Sequence, residues 1–472
     1  MKLRKWQDEC VNQVLNKYSE NKRHFLCLAT PGAGKTTMAA EVTSKLFEQD
    51  SIDFVICFSP GKTIRSDIRI TLEERMGERF DGFIGAKGES FTYQSMPSSD
   101  HKLWRLLKTH RVLVIFDEIH HCSGQSIDAA NAWGEKIITN IQHQATYTLS
   151  LTGTPWRSDK TPIALAEYQG ANNQVLCDYI YGLADAIHDK VCRTPQIVVT
   201  DNNDISIQNE NGAVELFRSF SELLDKTSCP YQKIVENKRV IQHIVNQANK
   251  KLTDIRKINP SAGGLVIATS VAHASKILHV LKNELKVPAV MATYQEHEAT
   301  SIIEDFKNSS TPWIVSVGMI SEGTNIPRLQ VCCHLSRIKT ELHFRQILGR
   351  ILRVTGELNQ EACLFMPAEN SLIEYAYRVA EDIPRENAIV RFDTANTGIY
   401  INEFDETFSD TPDNSHLLSY EMNIDESYDF QIKESSPPLN QLSLLTQSYE
   451  ATLNVFGQFH QDILALNVSP FD

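Results

Sequence analysis

Short apolar runs separated by helical patterns recur along the first 200 residues. Four of these runs are nearly continuous in hydrophobic character: His24–Thr30, Asp53–Ser59, Arg111–Glu118 and Tyr147–Pro155. Strands buried on both faces show such runs, and intervening helices allow neighbouring strands to run parallel. The pattern therefore predicts a parallel α/β sheet over about residues 1–200.

The same alternation restarts after Asn259. Five further candidate strands follow: Gly264–Ser270, Val287–Thr293, Pro312–Gly318, Val331–Arg337 and Glu361–Pro367. Between the two series, Asp201–Gly212 has the polar composition of a connecting loop, and residues 213–258 are charged and helix-patterned. The predicted fold class is α/β, with two parallel-sheet domains in tandem and an acidic C-terminal extension. The predicted boundaries are 1–200 for the first domain, 201–258 for the connecting loop and helical segment, 259–382 for the second domain and 383–472 for the extension.

The negative charge is concentrated near the end of the chain. The net charge is −13, but residues 401–472 hold 13 acidic residues and one basic residue, Lys433. The remaining 400 residues hold 46 acidic and 45 basic residues. The acidic total is therefore no argument against nucleic-acid binding by the two domains. The extension is expected to be a solvated flap, or else a partner-binding, regulatory or strand-blocking element, and a helix-like apolar pattern closes the chain.

Cysteine usage and hydropathy favour a cytoplasmic protein. The ten cysteines include no Cys-x-x-Cys pair and stand mostly in apolar contexts, as expected for free buried thiols in a reducing compartment. No apolar run of about 18 residues is present, so no membrane association is expected. The first ten residues are polar and lack the apolar core of a signal peptide.

A phosphate-binding loop follows the first predicted strand. The segment Ala29–Thr37 reads ATPGAGKTT and precedes a helical pattern. In such a loop the backbone amides and the helix N-terminus hold phosphates, Lys35 reaches the outer ones, and the hydroxyl of Thr36 ligates Mg²⁺. ATP and Mg²⁺ are therefore the expected ligands, held by Thr30, Gly32, Ala33, Gly34, Lys35, Thr36 and Thr37.

An acidic pair follows the strand Arg111–Glu118. Asp117 is placed to act on Mg²⁺ and Glu118 to polarise an attacking water. The following His120-His121-Cys122 has no second Cys/His cluster at a spacing that would complete a tetrahedral zinc site. His120 is instead expected to couple the nucleotide site to the second domain.

Five motifs in order give the chain a family resemblance. They are ATPGAGKT, DEIH (Asp117–His120), TGTP (Thr152–Pro155), SEGTNIP (Ser321–Pro327) and QILGRILR (Gln346–Arg353). A chain with this series resembles superfamily 2 helicases, and in particular the DNA-translocating helicase subunits of restriction enzymes. The resemblance covers about residues 1–382 and implies two RecA-like domains that clamp ATP at their interface.

The resemblance also implies roles for particular residues. Gln7 stands where the family has an adenine-reading glutamine, and Thr152 and Thr154 match residues that couple hydrolysis to strand movement. Gly323 and Asn325 match a segment that touches nucleotide and nucleic acid, although many relatives have Asp at the second position. The final motif supplies Gln346, Arg350 and Arg353, the two arginines as arginine fingers. A guanidinium stabilises charge on a transferring phosphoryl group, typically worth about 10³–10⁵ in rate.

Nucleic-acid contacts are expected from three further segments. The candidate residues are Lys62, Thr63, Arg65, Thr92, Gln94, Thr269 and Ser270, whose side chains suit backbone phosphates and carry no base-edge code. For each of them a purely structural role is the alternative. Because the final motif begins with Gln346 and DEIH replaces DEAD, the resemblance favours DNA over RNA.

The predicted function is a nucleic-acid-stimulated ATPase that translocates on DNA and unwinds it. No nuclease constellation is evident in the sequence, so a partner protein is expected to supply cutting or recognition, as in a restriction-like or antiviral system. Two alternatives stay open: an ATP-gated interaction protein that recruits or switches a partner, and an RNA helicase.

Overall fold

The computed structural model describes residues 2–96, 101–124, 126, 130–155, 157, 161–169, 174–208, 213–294, 298–320, 324–354, 361–381, 389–390 and 452–466. Of the predicted site residues, Gly323 lies outside these ranges. So does most of the acidic extension, at residues 391–451. None of the helices in the described part of the chain is long and apolar enough to cross a membrane.

The first domain is built on a six-stranded parallel sheet. Its strands and those of a small hairpin are β1 (His24–Ala29), β2 (Phe54–Ser59), β3 (Gly88–Thr92), β4 (Val112–Asp117), β5 (Tyr147–Thr152), β6 (Glu167–Gln169), β7 (Gln174–Leu176) and β8 (Tyr179–Tyr181). Its α-helices are α1 (Lys5–Ser19), α2 (Lys35–Glu48), α3 (Lys62–Met76), α4 (His101–Thr109), α5 (Ala132–Lys136) and α6 (Leu183–His188). The strand order is β3-β2-β4-β5-β1-β8, and every neighbouring pair is parallel.

The second domain is built on an eight-stranded sheet and a three-stranded one. Its strands are β9 (Thr194–Asn202), β10 (Ile205–Gln208), β11 (Val214–Phe217), β12 (Gly263–Ala268), β13 (Ala289–Thr293), β14 (Trp313–Val317), β15 (Leu329–Leu335), β16 (Glu361–Pro367), β17 (Ile389–Val390), β18 (Thr452–Val455) and β19 (Phe459–Leu466). Its α-helices are α7 (Phe220–Lys226), α8 (Tyr231–Val235), α9 (Lys238–Ile258), α10 (Val271–His279), α11 (Ala299–Asn308), α12 (Glu341–Ile351) and α13 (Asn370–Glu381). The large sheet has the order β13-β14-β12-β15-β16-β9-β19-β17 and the small one β11-β10-β18.

All nine predicted strands are present, and their burial explains their composition. Every residue of β4, β12 and β15 is buried. A strand covered by helices on both faces has no solvent side, so the apolar residues run together instead of alternating. The expectation of two parallel-sheet α/β domains in tandem is confirmed.

Strand β9 lies in the second sheet, although the predicted boundary at residue 200 assigned most of it to the first domain. It pairs in parallel with β16, from Thr194 opposite Glu361 to Thr200 opposite Pro367. The stretch predicted as a loop, Asp201–Gly212, contains β10, which pairs with β11 and β18. Polar residues such as Asn202 and Ser206, both buried here, concealed these strands in the sequence.

The last described residues form strands, and the expectation of a closing helix was wrong. Strand β18 pairs antiparallel with β10, and β19 pairs antiparallel with β9 from Phe459 opposite Asn202 to Ala465 opposite Gln196. Residues 452–466 are therefore part of the second domain. The predicted extension over 383–472 thus includes three strands of the second domain's sheets, β17, β18 and β19.

The prediction that the cysteines are free and mostly buried is confirmed. All ten cysteines are free, and nine are buried, with Cys177 partly exposed.

Candidate nucleotide site at the domain interface

The phosphate loop connects β1 to α2 and requires glycine at two positions. Gly32 and Gly34 have φ angles of 84° and 95°, in the left-handed region that disfavours a side chain. Gly34 is the N-cap of α2, so the helix begins at Lys35 and its first turn contains Thr36 and Thr37. The free backbone N–H groups and the dipole of this helix start favour an anion such as a phosphate.

Helix α1 supports the loop from the side. Gln7 is 3% exposed; its amide donates to the Gly34 carbonyl at 2.9 Å, and its oxygen accepts from the Arg4 N–H at 2.8 Å. Arg4 also donates to the Ala33 carbonyl at 2.5 Å. The structure thus places Gln7 against the loop. Arg4 was missed by sequence reasoning, because a surface arginine near the start of a chain carries no distinguishing pattern.

The acidic pair emerges from the end of β4 beside Lys35. The Lys35 ammonium lies 3.3 Å from a Glu118 carboxylate oxygen and donates to the Ala29 carbonyl at 3.1 Å. Glu118 has a positive φ of 52°, which turns the chain sharply after the strand. The Tyr93 hydroxyl donates to the Asp117 backbone carbonyl at 2.8 Å and so stabilises this turn.

The two carboxylates have opposite pKa shifts. Burial raises the pKa of Asp117, and the adjacent Glu118 carboxylate raises it further, to about 7. Burial would also raise the pKa of Glu118, but Lys35, His120 and the Gly153 N–H outweigh it and lower the pKa to about 2. Glu118 is therefore ionised at neutral pH, whereas ionisation of Asp117 is disfavoured unless a cation lies nearby.

The residues present fit a magnesium ion. Asp117 is 7% exposed, and its buried Oδ1 has no hydrogen-bond partner among the described residues. A carboxylate and a hydroxyl are oxygen ligands of the kind that Mg²⁺ prefers. Asp117 and Thr36 would hold the ion, which supplies positive charge for the phosphates.

The TGTP segment begins at the last residue of β5 and forms a hydrogen-bonded ring with Glu118 and His120. The Gly153 N–H donates to Glu118 Oε2 at 3.1 Å, and the Thr152 hydroxyl lies 3.4 Å from the same oxygen. His120 Nδ1 lies 2.9 Å from Thr152 Oγ1 and 3.4 Å from Thr154 Oγ1. The three predicted coupling residues are therefore in direct contact with each other.

The imidazole of His120 is neutral within this hydrogen-bonded ring. It is 2% exposed, and burial together with His121 lowers its pKa to about 3. Its Nε2 has no hydrogen-bond partner among the described residues. Since β4 and β5 are neighbours in the sheet, their ends bring DEIH and TGTP together, although about 30 residues separate the motifs.

The second domain contributes helix α12 with the final motif. Thr340 caps its N-terminus by accepting from the His343 N–H, and Gln346 and Arg350 follow along the helix. Arg350 donates to the Thr324 carbonyl at 2.7 Å, and Arg353 donates to the Asn325 side-chain oxygen. Asn325 therefore positions an arginine of the final motif in this structure.

Helix α12 lies directly on the phosphate loop. A methyl group added at Gly32 would be 3.0 Å from Cγ of Arg353, and one added at Gly349 would be 2.8 Å from Cβ of Pro31. The two motifs that are more than 300 residues apart in the chain are thus in contact across the domain interface. Tertiary structure assembles a site with the phosphate loop and the acidic pair on one side and Arg353 on the other.

The predicted nucleic-acid contacts divide into two groups. Lys62, Thr63 and Arg65 are exposed on the first turn of α3, which follows β2. Because β2 and β3 are parallel neighbours, with Ser59 opposite Thr92, their ends meet at one edge of the sheet. Gln94 is exposed there and donates to the Pro60 carbonyl at 3.2 Å.

In the second domain the candidate hydroxyls make local contacts. Thr269 Oγ1 donates to Glu236 at 2.9 Å and lies 2.9 Å from His273 Nδ1. Ser270 caps α10 by accepting from the His273 N–H at 3.2 Å. The structure therefore gives Thr269 and Ser270 structural partners, whereas in the first domain Lys62, Thr63, Arg65 and Gln94 are exposed and Thr92 is half-buried.

Two domain families match the chain. Residues 1–157 match the family described as the type III restriction enzyme, res subunit, and residues 247–355 match the helicase conserved C-terminal domain. An uncharacterized protein of Mycobacterium leprae is 27% identical over 79% of this chain and 63% of its own length. The putative mitochondrial ATP-dependent helicase irc3 of Schizosaccharomyces pombe is 23% identical over 75% of this chain and 55% of its own length. The chain thus spans less than two thirds of either relative.

Solved structures of restriction enzymes share the fold. A fragment of a putative HsdR subunit of a type I restriction enzyme from Vibrio vulnificus matches with a TM-score of 0.53 at 16% identity, over 79% of this chain and 65% of that one. The ATP-dependent type ISP restriction-modification enzyme LlaBIII bound to DNA matches with a TM-score of 0.51 at 15% identity, over 81% of this chain and 30% of that one. Through a match to a restriction-enzyme subunit family in its first domain and to the helicase C-terminal domain in its second, the chain resembles superfamily 2 helicases, and among them the motor subunits of restriction enzymes.

Proposed function

We propose that this protein is a nucleic-acid-stimulated ATPase that translocates on DNA and unwinds it, as the motor of a restriction-like or antiviral system. The observation that carries the proposal is the contact between Arg353 and the phosphate loop at Gly32. An arginine that reaches the phosphate loop from another domain makes hydrolysis depend on domain closure. Closure can then be linked to movement along a strand.

Each residue of the site has a role in this proposal. Lys35 and the start of α2 hold the outer phosphates of ATP, and Asp117 and Thr36 hold Mg²⁺. Glu118, ionised because its pKa is lowered to about 2, orients and polarises the attacking water. Arg350 and Arg353 stabilise the charge on the transferring phosphoryl group.

The hydrogen-bonded ring supplies the coupling step. Glu118 contacts Gly153 and Thr152, and His120 contacts Thr152 and Thr154, so a change at Glu118 is transmitted to the end of β5. Loss of the γ-phosphate would move Glu118 and with it this segment. The contiguous contacts support coupling from ATP to the edge of the sheet.

DNA is the proposed strand. LlaBIII, which shares the fold, is bound to DNA, and the res-subunit family match belongs to restriction enzymes. The exposed Lys62, Thr63, Arg65 and Gln94 at one sheet edge suit backbone phosphates. Binding would therefore be salt-sensitive and weakly dependent on sequence.

The direct experiment is ATP turnover with no nucleic acid, with single-stranded DNA, with duplex DNA and with RNA. We expect DNA to stimulate turnover, Lys35→Ala to abolish it, and Lys62→Ala/Arg65→Ala to weaken the stimulation and its salt dependence. Lys257→Ala, a change at an exposed lysine on α9 away from this edge, is the matched control. Turnover that no nucleic acid changes would refute the proposal, and stimulation by RNA alone would establish the RNA-helicase alternative.

The second candidate is an ATP-gated interaction protein, favoured by the charge of −12 over residues 401–472. A nuclease or recognition partner with a basic surface would complement this segment. The strands at 452–466 show that deleting the whole segment would damage the second domain. The informative variant therefore replaces residues 396–446 with a short Gly-Ser linker and retains β18 and β19. Loss of a co-purifying protein with DNA-stimulated turnover intact would favour this candidate.

A further inference from the structure

A buried arginine stands in the segment that joins the two domains. Arg193 directly precedes β9 and is 1% exposed. Its guanidinium donates to the carbonyls of Leu329 at 2.8 Å, Ile351 at 3.0 Å and Pro327 at 3.3 Å. Ile351 is the last residue of α12, and Pro327 belongs to the SEGTNIP motif.

The backbone beside Arg193 contacts both halves of the nucleotide site. The Arg193 N–H donates to the Leu352 carbonyl at 2.7 Å, and Cys192 forms an antiparallel bridge with Arg353. The Cys192 thiol donates to the Pro31 carbonyl at 3.5 Å. The segment is therefore packed between the end of α12 and the phosphate loop.

The geometry suits arginine specifically. Burial lowers the pKa of Arg193 to about 10, so the guanidinium is still charged at neutral pH. A cation beside the last carbonyls of a helix is stabilised by the helix dipole. The planar guanidinium donates hydrogen bonds to several carbonyls at once, whereas a lysine ammonium is a single point of charge on a flexible stem. A lysine here would retain the charge and loosen the end of α12.

We propose that Arg193 is a positioning residue for Arg353, fixing the end of α12 and the connecting segment in the geometry that brings Arg353 over the phosphate loop. This inference rests on the proposed ATPase function. It adds a residue outside the five motifs to the machinery of hydrolysis. Arg193 touches none of the reacting groups and acts through α12.

A second buried arginine provides a matched control. Arg328 is 6% exposed and donates to the carbonyls of Phe306, Ser261 and Thr311. Burial lowers its pKa to about 10, as for Arg193. None of these three partners belongs to α12 or to the phosphate loop. Arg328→Lys therefore tests the loss of a buried guanidinium in the same domain without altering the end of α12.

The test is a double-mutant cycle in DNA-stimulated ATP turnover by the full chain. A misplacement of about 1 Å costs about 10²-fold in rate, so we expect Arg193→Lys to lower kcat by about that factor with little change in KM for ATP. The kcat of the double variant Arg193→Lys/Arg353→Ala should be within about twofold of that of Arg353→Ala alone. Both changes remove the same contribution, which is the action of Arg353 at the phosphate loop. Arg328→Lys should keep kcat close to that of the wild type.

The possible outcomes separate the two proposals. Three results would each overturn the role of Arg193. They are losses of kcat that multiply in the double variant, an unchanged kcat in Arg193→Lys, or a loss of kcat in Arg328→Lys equal to that in Arg193→Lys. If Arg353→Ala itself leaves turnover unchanged, the arginine-finger assignment fails first and Arg193 has nothing to position. Thermal unfolding is measured for every variant; should Arg193→Lys not fold, Arg193→Gln, which keeps an N–H donor without charge, enters the same cycle.

Discussion

The contact between Gly349 and Pro31 makes a single methyl group a test of domain closure. An added Cβ at Gly349 would lie 2.8 Å from Cβ and Cγ of Pro31, whereas ordinary contact begins at 3.4 Å. The proline ring is closed onto the backbone of the phosphate loop and cannot rotate away. In Gly349→Ala, α12 must therefore retreat by roughly 0.6 Å, since a close-packed interface has no spare volume.

The expected effect is on hydrolysis and not on folding. A displacement approaching 1 Å at a catalytic group costs up to about 10²-fold, so kcat should fall by about 10–10²-fold with KM for ATP little changed. Alanine is favoured over glycine within a helix by about 1 kcal/mol, so the second domain should unfold at the same temperature or a higher one. Loss of activity without loss of stability would distinguish displacement from misfolding.

The assay is steady-state ATP turnover at saturating DNA, with thermal unfolding alongside. Gly182→Ala is the matched control, because its added Cβ would find its nearest neighbour 3.9 Å away, at Asp185. Wild-type turnover by Gly349→Ala would mean that α12 does not approach Pro31 during hydrolysis. The contact between α12 and Pro31 would then be absent from the conformation that hydrolyses ATP.

Three further predictions concern single features of the structure. Glu118→Gln should lower kcat by about 10²–10⁴-fold while equilibrium binding of a fluorescent ATP analogue is retained, and wild-type turnover would exclude Glu118 from orienting water. The raised pKa of Asp117 means that the folded, nucleotide-free protein holds a proton on this side chain more tightly than the unfolded chain does. The stability that comes from this protonation is fully present below the unfolded pKa and is lost as the pH rises from about 4 to about 7. Asp117→Asn should accordingly raise the thermal unfolding temperature at pH 8 without nucleotide while abolishing turnover. An unfolding temperature below that of the wild type would contradict the raised pKa of Asp117. Deleting residues 459–472 should expose the edge of β9 and lower the unfolding temperature or solubility, measured against the full chain, and unchanged stability would show that β19 is dispensable.

Local patterns predicted the strands that have no solvent face. In β4 and β12 every residue is buried, so composition alone marked them. Among the strands that were missed, β9, β10 and β19 contain buried or half-buried polar residues, including Asn202 and Gln461. Their strand character depends on neighbours that come from other parts of the chain, and β19 meets β9 only after more than 250 residues.

The sequence by itself determined the residue types of the candidate nucleotide site, because a phosphate loop, an acidic pair after a buried strand and a paired-arginine helix each need particular residue types at short spacing. Tertiary structure alone decided which of these groups touch. It placed Arg353 over Gly32, closed the ring from Glu118 to Thr154, and buried Arg193 at the end of α12. Contacts between distant segments depend on strand order and domain packing, and nothing in the local pattern of either segment records them.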